Sequence, residues 1–248
     1  MKVAVISLRR TPERWSAFLQ RNASALQGCQ VLRVNGVDGA EELANIGLTR
    51  LIAPSARQQW TAGALGAALS HLLCWRLCSS GPVPLVVLED DVVLAEGWTH
   101  TLGELLQPQH ELVLLGWNLD SMLQAELFCN QEMISLFEPA YPDAAALKGL
   151  LNGGEPRQLR RLRHAFGLPG YWLTPAMART LLRRLCRLDV LPIDLQRGFP
   201  SCETYGIDGL LNRHYAELQA RVVMPPLALA LYDPTRSLTR ERPKNFDR

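Results

Sequence analysis

The sequence predicts an α/β fold with a mostly parallel central sheet flanked by helices, and its first forty residues carry much of that prediction. Residues 3–8 form a short apolar run typical of a strand buried on both faces, and residues 31–34 form a second run. Between them, Thr11 can cap a helix whose first position is Pro12. A strand, a helix and a strand within about 35 residues are typical of the βαβ unit of a parallel sheet.

The next segments continue this alternation of helices and strands. Apolar positions at helical spacing predict a long helix over residues 61–78, which Gly81 and Pro82 end. The apolar runs 85–88 and 112–115 then predict two more buried strands. The first half of the chain is therefore expected to be a regular α/β layer structure.

The second half is predicted to be less regular. Turn residues and weak periodicity over residues 118–165 indicate loops with short helices. A helix is expected to begin after Thr174, another helix over residues 207–219, and a short strand at residues 221–224.

Composition excludes several classes of protein. The chain has 248 residues, of which 48% are hydrophobic and 20% charged, as in a globular protein. Lys and Arg exceed Asp and Glu only by 26 to 24, so the charge predicts no nucleic-acid partner. No apolar run approaches the roughly 20 residues of a membrane-spanning helix, and the start of the chain lacks the pattern of a signal peptide. We expect a cytoplasmic protein with reduced cysteines.

An acidic triplet is the most informative chemical feature. Glu89, Asp90 and Asp91 come directly after the predicted strand 85–88, and ligands of open α/β sheets bind at such strand ends. Carboxylate oxygens suit Mg²⁺ or Mn²⁺, which often bridge to phosphate groups. Two interpretations stay open, namely a divalent-cation site and a solvated acidic turn.

Several segments resemble the successive blocks of glycosyltransferase family 25, which includes bacterial lipooligosaccharide galactosyltransferases. Four of them occur in the family's order within about the first 120 residues, and a fifth lies in the second half. They are VISLRRTPER in the 3–14 region, VNGVDG at 34–39, TAGALGAALSHLLCW at 61–75, VVLEDDV at 86–92 and GYWLTPAMARTLL at 170–182.

The resemblance implies a GT-A-like fold and a metal-dependent, inverting transfer of galactose or glucose from a UDP-sugar. The acceptor would be a hydroxyl of a glycan or glycolipid in surface-glycan biosynthesis of the lipopolysaccharide kind. Residues 1–120 would then form the donor-binding half, residues 121–235 the acceptor-side half of the same catalytic domain, and residues 236–248 a basic tail. The alternative is a non-catalytic sugar-nucleotide or glycan-binding protein that retains the fold.

The triplet then becomes a DXD-like motif that binds Mn²⁺ or Mg²⁺. We expect Asp91 to bind the metal, helped by Glu89 or Asp90. Alternate residues of an extended segment point the same way, so Glu89 and Asp91 can share a face while Asp90 points toward the donor sugar or ribose.

Three more residues are expected at the donor site, each with a structural alternative. Arg14 matches the family's Glu-Arg pair and is assigned to nucleotide contact, although it can equally be a solvated surface arginine. Asp38 either binds the nucleotide or only braces its turn. His71 either positions a substrate or is a core histidine, and no carboxylate partner for it is apparent in the sequence.

Inverting transfer needs a base for the proton of the acceptor hydroxyl. The resemblance points to an Ile/Val-Asp pair, and the sequence contains two: Ile207-Asp208 and Ile193-Asp194. Asp208 is favoured, because a helix, a strand and a proline follow it in the family's order, and Asp194 is the alternative.

From residue 156 to residue 188 the chain carries several arginines and no acidic residue. The arginines are Arg157, Arg160, Arg161, Arg163, Arg179, Arg183, Arg184 and Arg187. They form either a solvated surface or a site of peripheral contact with the anionic inner face of the cytoplasmic membrane.

Overall fold

A computed structural model of the chain describes residues 1–42, 50–136, 141–196 and 198–231. Within these ranges lie thirteen strands and eight helices. The strands are β1 Lys2–Ser7, β2 Gln30–Asn35, β3 Leu85–Glu89, β4 Val92–Leu94, β5 Leu112–Leu114, β6 Leu123–Phe128, β7 Gln131–Ser135, β8 Gln158–Ala165, β9 Gly170–Leu173, β10 Pro192–Ile193, β11 Cys202–Glu203, β12 Arg221–Met224 and β13 Ala228–Ala230. The helices are α1 Pro12–Arg21, α2 Gly39–Glu42, α3 Pro54–Gln59, α4 Ala62–Ser79, α5 Trp98–Leu105, α6 Ala144–Leu151, α7 Pro175–Leu185 and α8 Ile207–Asn212. The predicted tail at 236–248 lies outside the described residues.

Nine of these strands form one sheet in the order β2-β1-β3-β9-β5-β12-β8-β6-β7. Strands β2, β1 and β3 are parallel, which confirms the predicted βαβ unit, and β5 is parallel to β12. The other five pairings within this sheet, among the described residues, are antiparallel. The fold class is therefore α/β as predicted, but the expectation of a mostly parallel sheet is wrong.

The segment 118–165 accounts for much of that error, because it contains β6, β7 and β8 where loops were expected. Strands β6 and β7 are joined by Cys129 and Asn130, whose φ angles of 46° and 64° make a tight hairpin turn. Such a turn forces antiparallel pairing. Strands β7 and β8 lack clear hydrophobic alternation, because β7 is the edge strand QEMIS and β8 reads QLRRLRHA, whereas β6, LQAELF, alternates over a short stretch.

Two apolar clusters lie on opposite faces of the sheet and make a three-layer structure. Helices α4, α7 and α8 supply side chains to one cluster, which includes Trp75 and Tyr171. Helices α1, α5 and α6 supply side chains to the other cluster, which includes Phe18 and Trp98. Helix α4 is apolar around most of its surface, as expected of a largely buried helix.

Local signals predicted the long helices well. Helix α4 begins after Thr61, whose side-chain oxygen accepts a hydrogen bond from the backbone N–H of Ala64 at 3.0 Å. Helix α7 begins after Thr174 in the same way. The helix expected over residues 207–219 is shorter, since α8 ends at Asn212 and turns follow.

The division at residue 120 does not divide the sheet. Strands β1, β2, β3 and β5 come from residues 1–120, and the remaining five strands come from later residues. Strand β9 lies between β3 and β5, so the later half of the chain inserts into the earlier one. The two halves consequently share one core.

Two further observations concern the apolar character of the helices and the state of the thiols. Among the described residues, no helix combines the length and the apolar character needed to cross a membrane. All six cysteines lie in the described ranges and are free thiols. Burial raises the pKa of Cys74 to about 12 and that of Cys78 to about 11, so both thiols stay protonated at neutral pH.

Candidate functional site

A cavity of about 640 Å³ opens at the sheet edge where β1 and β3 end. This volume is within the usual range for small-molecule sites. Charged and polar side chains contribute much of its lining. They include Arg10, Glu13, Arg14, Arg21, Asp38, Glu89, Asp90, Asp91, Asn118, Asp120 and Tyr141.

The acidic triplet lies at this edge but its members differ in exposure. Strand β3 ends at Glu89, and the turn that leads to β4 contains Asp90 and Asp91. The side chain of Asp90 is buried, with 6% of its surface exposed, whereas those of Glu89 and Asp91 are 35% and 31% exposed. The cavity therefore meets two partly exposed carboxylates, and the third is held behind them.

Arg14 and Arg21 hold the turn from one face of α1. Arg14 Nε donates to Asp90 Oδ1 at 2.8 Å, and Arg14 Nη2 lies 2.6 Å from the same oxygen and 3.3 Å from Asp91 Oδ2. Arg21, two helical turns later, donates to the backbone oxygens of Asp90 at 2.9 Å and Val92 at 3.0 Å. Arg14 thus lines the cavity, as expected of a donor-site residue, but its immediate partners are the acids.

The pKa values of these groups follow from burial and charge. Burial lowers the pKa of Arg14, but the charges of Asp91 and Asp90 outweigh it and raise the pKa overall. Burial, followed by the charge of Glu89, raises the pKa of Asp91 to about 7 despite the attraction of Arg14. Negative charge at Asp91 is therefore destabilised in the protein alone.

Asp91 and Glu89 could hold a divalent cation if substrate completed its coordination. Asp91 Oδ1 is buried and has no hydrogen-bond partner among the described residues. A cation beside Asp91 and Glu89 would supply the missing partner and balance their charge. No group of three or more His, Cys, Asp or Glu side chains in the described ranges is arranged to hold a metal. Further ligands would have to come from substrate oxygens and water, as is usual for Mg²⁺.

Helix α4 and the loop 36–38 between β2 and α2 form one wall of the site, and small residues bring them together. A Cβ on Gly66 would lie 2.5 Å from the carbonyl oxygen of Val37, so this contact requires glycine. Ser70 Oγ accepts from the N–H of Val37 at 2.8 Å and donates to the carbonyl of Gly66 at 2.7 Å. The Gly and Ser of the 61–75 block therefore have structural duties.

Asp38 lies in that loop and lines the cavity. Its carboxylate forms an ion pair with Arg10, and Asp38 Oδ1 accepts from the N–H of Ala40 at 3.1 Å, at the start of α2. These contacts brace the turn, which is one of the two interpretations of Asp38. Contact with a nucleotide remains a prediction.

His71 is buried behind Glu89, with 1% of its side chain exposed. Its Nε2 lies 3.4 Å from Glu89 Oε1, and its Nδ1 lies 2.9 Å from the hydroxyl of Tyr171. The expectation that His71 lacks a carboxylate partner is wrong, because α4 packs across the end of β3. Trp75, one turn further along α4, donates to the same hydroxyl at 2.8 Å.

Asp208 is connected to this edge through a loop. It lies in the first turn of α8, and its Oδ2 accepts from the backbone N–H of Gly167 at 2.9 Å. Gly167 belongs to the loop 166–169 between β8 and β9. The carbonyl of Pro169 in that loop accepts from the backbone N–H of Glu89 at 3.1 Å. Asp208 is therefore one loop away from the acidic triplet.

Asp194 lies elsewhere. It follows β10 in a separate two-stranded sheet, its side chain is exposed, and its Oδ1 accepts from the N–H of Gln196 at 2.9 Å. Neither Asp194 nor Asp208 is among the residues that line the cavity. Of the two candidates for the base, Asp208 is the one that the loop 166–169 links to Glu89.

Several residues of the site were missed in the sequence. Asn118 and Asp120 follow β5 and line the cavity, and polar residues directly after an apolar strand were the signal that could have found them. Arg21 follows Arg14 at a spacing of two helical turns, which places both on one face. Tyr171 lies in the 170–182 block but was given no role, since a tyrosine in an apolar strand is usually a core residue.

Comparison with known proteins identifies one family. The family model of glycosyltransferase family 25, described as an LPS biosynthesis protein, matches residues 1–196. A search of curated proteins finds no relative. Among solved structures, A197 from STIV is 10% identical to this chain, with a TM-score of 0.39. The alignment covers 94% of this chain and 86% of A197. The mannose-1-phosphate geranyltransferase from Thermus thermophilus is 16% identical, with a TM-score of 0.35. That alignment covers 90% of this chain and 72% of the geranyltransferase. Both TM-scores are low, so neither likeness bears on fold or function.

Proposed function

We propose, from the premise that the chain belongs to glycosyltransferase family 25, that it transfers a hexose from a UDP-sugar to a hydroxyl group. The acceptor would be a glycan or glycolipid of lipopolysaccharide biosynthesis, and galactose or glucose would be the transferred sugar. The observation that carries the proposal is the cavity of about 640 Å³ at the strand edge, into which Glu89 and Asp91 face.

A divalent ion, Mn²⁺ or Mg²⁺, is proposed to bind Asp91 and Glu89 together with the donor's diphosphate. The buried, unpartnered Oδ1 of Asp91 and the raised pKa of its carboxyl group support a cation at this point. The ion would neutralise charge that develops on the departing diphosphate. Because the described residues offer fewer than three clustered ligands, metal and UDP are expected to bind more tightly together than separately.

The basic residues around the cavity are proposed to receive the donor. Arg14 holds Asp90 through two of its nitrogens, so Asp90 serves chiefly to fix Arg14 at the cavity wall. From there the guanidinium can attract phosphate oxygens as a fixed positive charge. Asp38, held by Arg10, is proposed to contact the nucleotide from the opposite wall.

Asp208 is proposed as the base of an inverting reaction. The acceptor oxygen would form a bond to the anomeric carbon as the bond from that carbon to the UDP oxygen breaks, and the acceptor proton would pass to the carboxylate of Asp208. The hydrogen bond from Gly167 orients that carboxylate, and the loop 166–169 connects it to Glu89. Asp194 is the alternative base.

Peripheral contact with an anionic membrane is proposed to involve α7 rather than the whole segment 157–187. Arg179, Arg183 and Arg184 are exposed on α7, and Arg187 is exposed just beyond it. Each basic residue close to an anionic bilayer adds about 1 kcal/mol of attraction. Such contact would keep a cytoplasmic enzyme near a glycolipid acceptor.

A direct test measures UDP release by the full chain with a panel of UDP-hexoses, with Mn²⁺, with Mg²⁺ and with a chelator. The expected result is metal-dependent release from one donor, and faster release once a suitable glycan acceptor is added. Metal-dependent UDP binding without release on any donor or acceptor would favour the non-catalytic alternative. Absence of both binding and release would overturn the proposal.

A further inference from the structure

A chain of buried hydrogen bonds lies behind the cavity and ends on Glu89. Its members come from helix α4 and strand β9, which both contribute side chains to the apolar cluster on one face of the sheet. We call the three side chains that precede Glu89 the relay: Trp75, Tyr171 and His71. We propose that the relay positions the Glu89 carboxylate, holding Oε1 from behind and leaving Oε2 for a divalent cation in the cavity. This inference rests on the proposed function.

The direction of the relay follows from what each group can donate. The indole N–H of Trp75 is only a donor, so the Tyr171 hydroxyl accepts that hydrogen bond at 2.8 Å. Tyr171 is fully buried, and burial raises the pKa of its hydroxyl, so the hydroxyl keeps its proton. Among the described residues, the only other group within hydrogen-bonding distance of that oxygen is Nδ1 of His71, at 2.9 Å.

The hydroxyl proton of Tyr171 consequently points at Nδ1 of His71, which must be an acceptor. A ring whose Nδ1 accepts carries its N–H on Nε2. Nε2 faces Glu89 Oε1 at 3.4 Å, so the ring donates toward the carboxylate. Trp75 and Tyr171 therefore select the His71 tautomer that suits Glu89, as second-layer groups commonly do at metal sites.

The geometry keeps the relay dry and the carboxylate accessible. Trp75, Tyr171 and His71 are each at most 1% exposed, whereas the side chain of Glu89 is 35% exposed. The backbone of Glu89 is also fixed, because its N–H donates to the Pro169 carbonyl. The described residues place no donor on Oε2, which leaves this oxygen for the cavity.

The experiment measures Mn²⁺ affinity directly, by electron paramagnetic resonance with UDP present, beside turnover and thermal unfolding. His71→Leu removes the donor to Glu89, and His71→Gln keeps an amide N–H near the position of Nε2. Tyr171→Phe leaves the relay interrupted. Cys78→Ala is the matched control, since Cys78 is buried on the same helix and its thiol donates to the Leu173 carbonyl, outside the relay.

We expect the Mn²⁺ dissociation constant to rise about 10-fold to 100-fold in His71→Leu and about 10-fold in Tyr171→Phe. His71→Gln should recover much of the loss, and Cys78→Ala should bind Mn²⁺ like the unsubstituted protein. Equal affinity in all variants would overturn the inference, as would a loss in Cys78→Ala as large as that in His71→Leu. If the unsubstituted protein shows no metal-dependent UDP binding, the proposed function fails before the relay is tested.

Discussion

Two concentrations of charge are evident in the sequence, and the fold treats them in opposite ways. The acids at 89–91 stay together, because consecutive residues in a tight turn cannot separate by more than a few ångströms. The arginines between 157 and 187 are divided between β8, toward one end of the sheet, and α7, in a helical layer. A strand sends alternate side chains to opposite faces and a helix spreads them around its axis, so these charges diverge.

The partners of the two groups differ as well. The arginines find acids and carbonyls supplied from elsewhere, for instance Glu132 for Arg163 and Glu217, at 2.8 Å, for Arg184. The acids at 89–91 are only partly balanced by Arg14, and the pKa of Asp91 stays raised. Unbalanced charge at a strand edge therefore indicates a ligand site better than the number of charges in a segment does.

The largest expected effect on activity comes from a change among the acids at 89–91. Asp91→Asn should lower turnover about a thousand-fold, because it removes a proposed ligand of the cation that neutralises charge on the leaving diphosphate. The same change should raise the melting temperature of the metal-free protein, since a disfavoured negative charge is lost. UDP-release kinetics and calorimetry check both effects. A fall in melting temperature would show that the ion pair with Arg14 outweighs the repulsion from Glu89.

The next effect separates the two candidates for the base. Asp208→Asn should lower kcat about 100-fold or more while UDP binding is retained, because only proton transfer is lost. Asp194→Asn serves as the control, since its side chain is exposed and follows β10 of the two-stranded sheet. Steady-state kinetics with acceptor and calorimetry with UDP make the comparison. The opposite pattern would assign the base to Asp194.

Stability should also distinguish the two groups. Arg14→Met leaves the buried carboxylate of Asp90 without its main partner and should cost about 3 kcal/mol in the free energy of unfolding. The control Arg183→Met changes an exposed arginine that, in the described part of the chain, donates only to Thr180 on its own helix. That control should alter stability by less than about 0.5 kcal/mol. Urea unfolding measures the stability of both variants. Equal losses of stability would contradict the expected difference between Arg14 and Arg183.

The smallest expected effect concerns the dispersed arginines. A triple change of Arg179, Arg183 and Arg187 to Ala should leave the melting temperature and UDP release nearly unchanged, because these side chains are exposed. Sedimentation with vesicles that contain phosphatidylglycerol should show weaker binding than for the unsubstituted protein. A matched triple change of Arg157, Arg160 and Arg161 should matter less. Equal vesicle binding by all three proteins would remove α7 from the proposed membrane contact.

Sequence patterns predicted those parts of the molecule in which local signals and tertiary contacts agree. The βαβ unit, helices α4 and α7, and the strand before Glu89 all have caps or apolar periods within a few residues. Strands β6, β7 and β8 were missed, because β7 and β8 are polar or arginine-rich and all three are stabilised by pairing with neighbouring strands. Pairing is a long-range property, so a local pattern cannot reveal it.

The sequence by itself determined that acids follow a buried strand and that a Gly, a Ser and a His share the helix of residues 61–75. Only the tertiary structure decided what these residues contact. Packing of α4 across the end of β3 places His71 against Glu89, and insertion of β9 places Tyr171 behind both. The physical reason is that hydrogen bonds between distant segments depend on the order of the strands in the sheet. Insertion of an antiparallel strand changes that order and leaves no periodic signal in the chain.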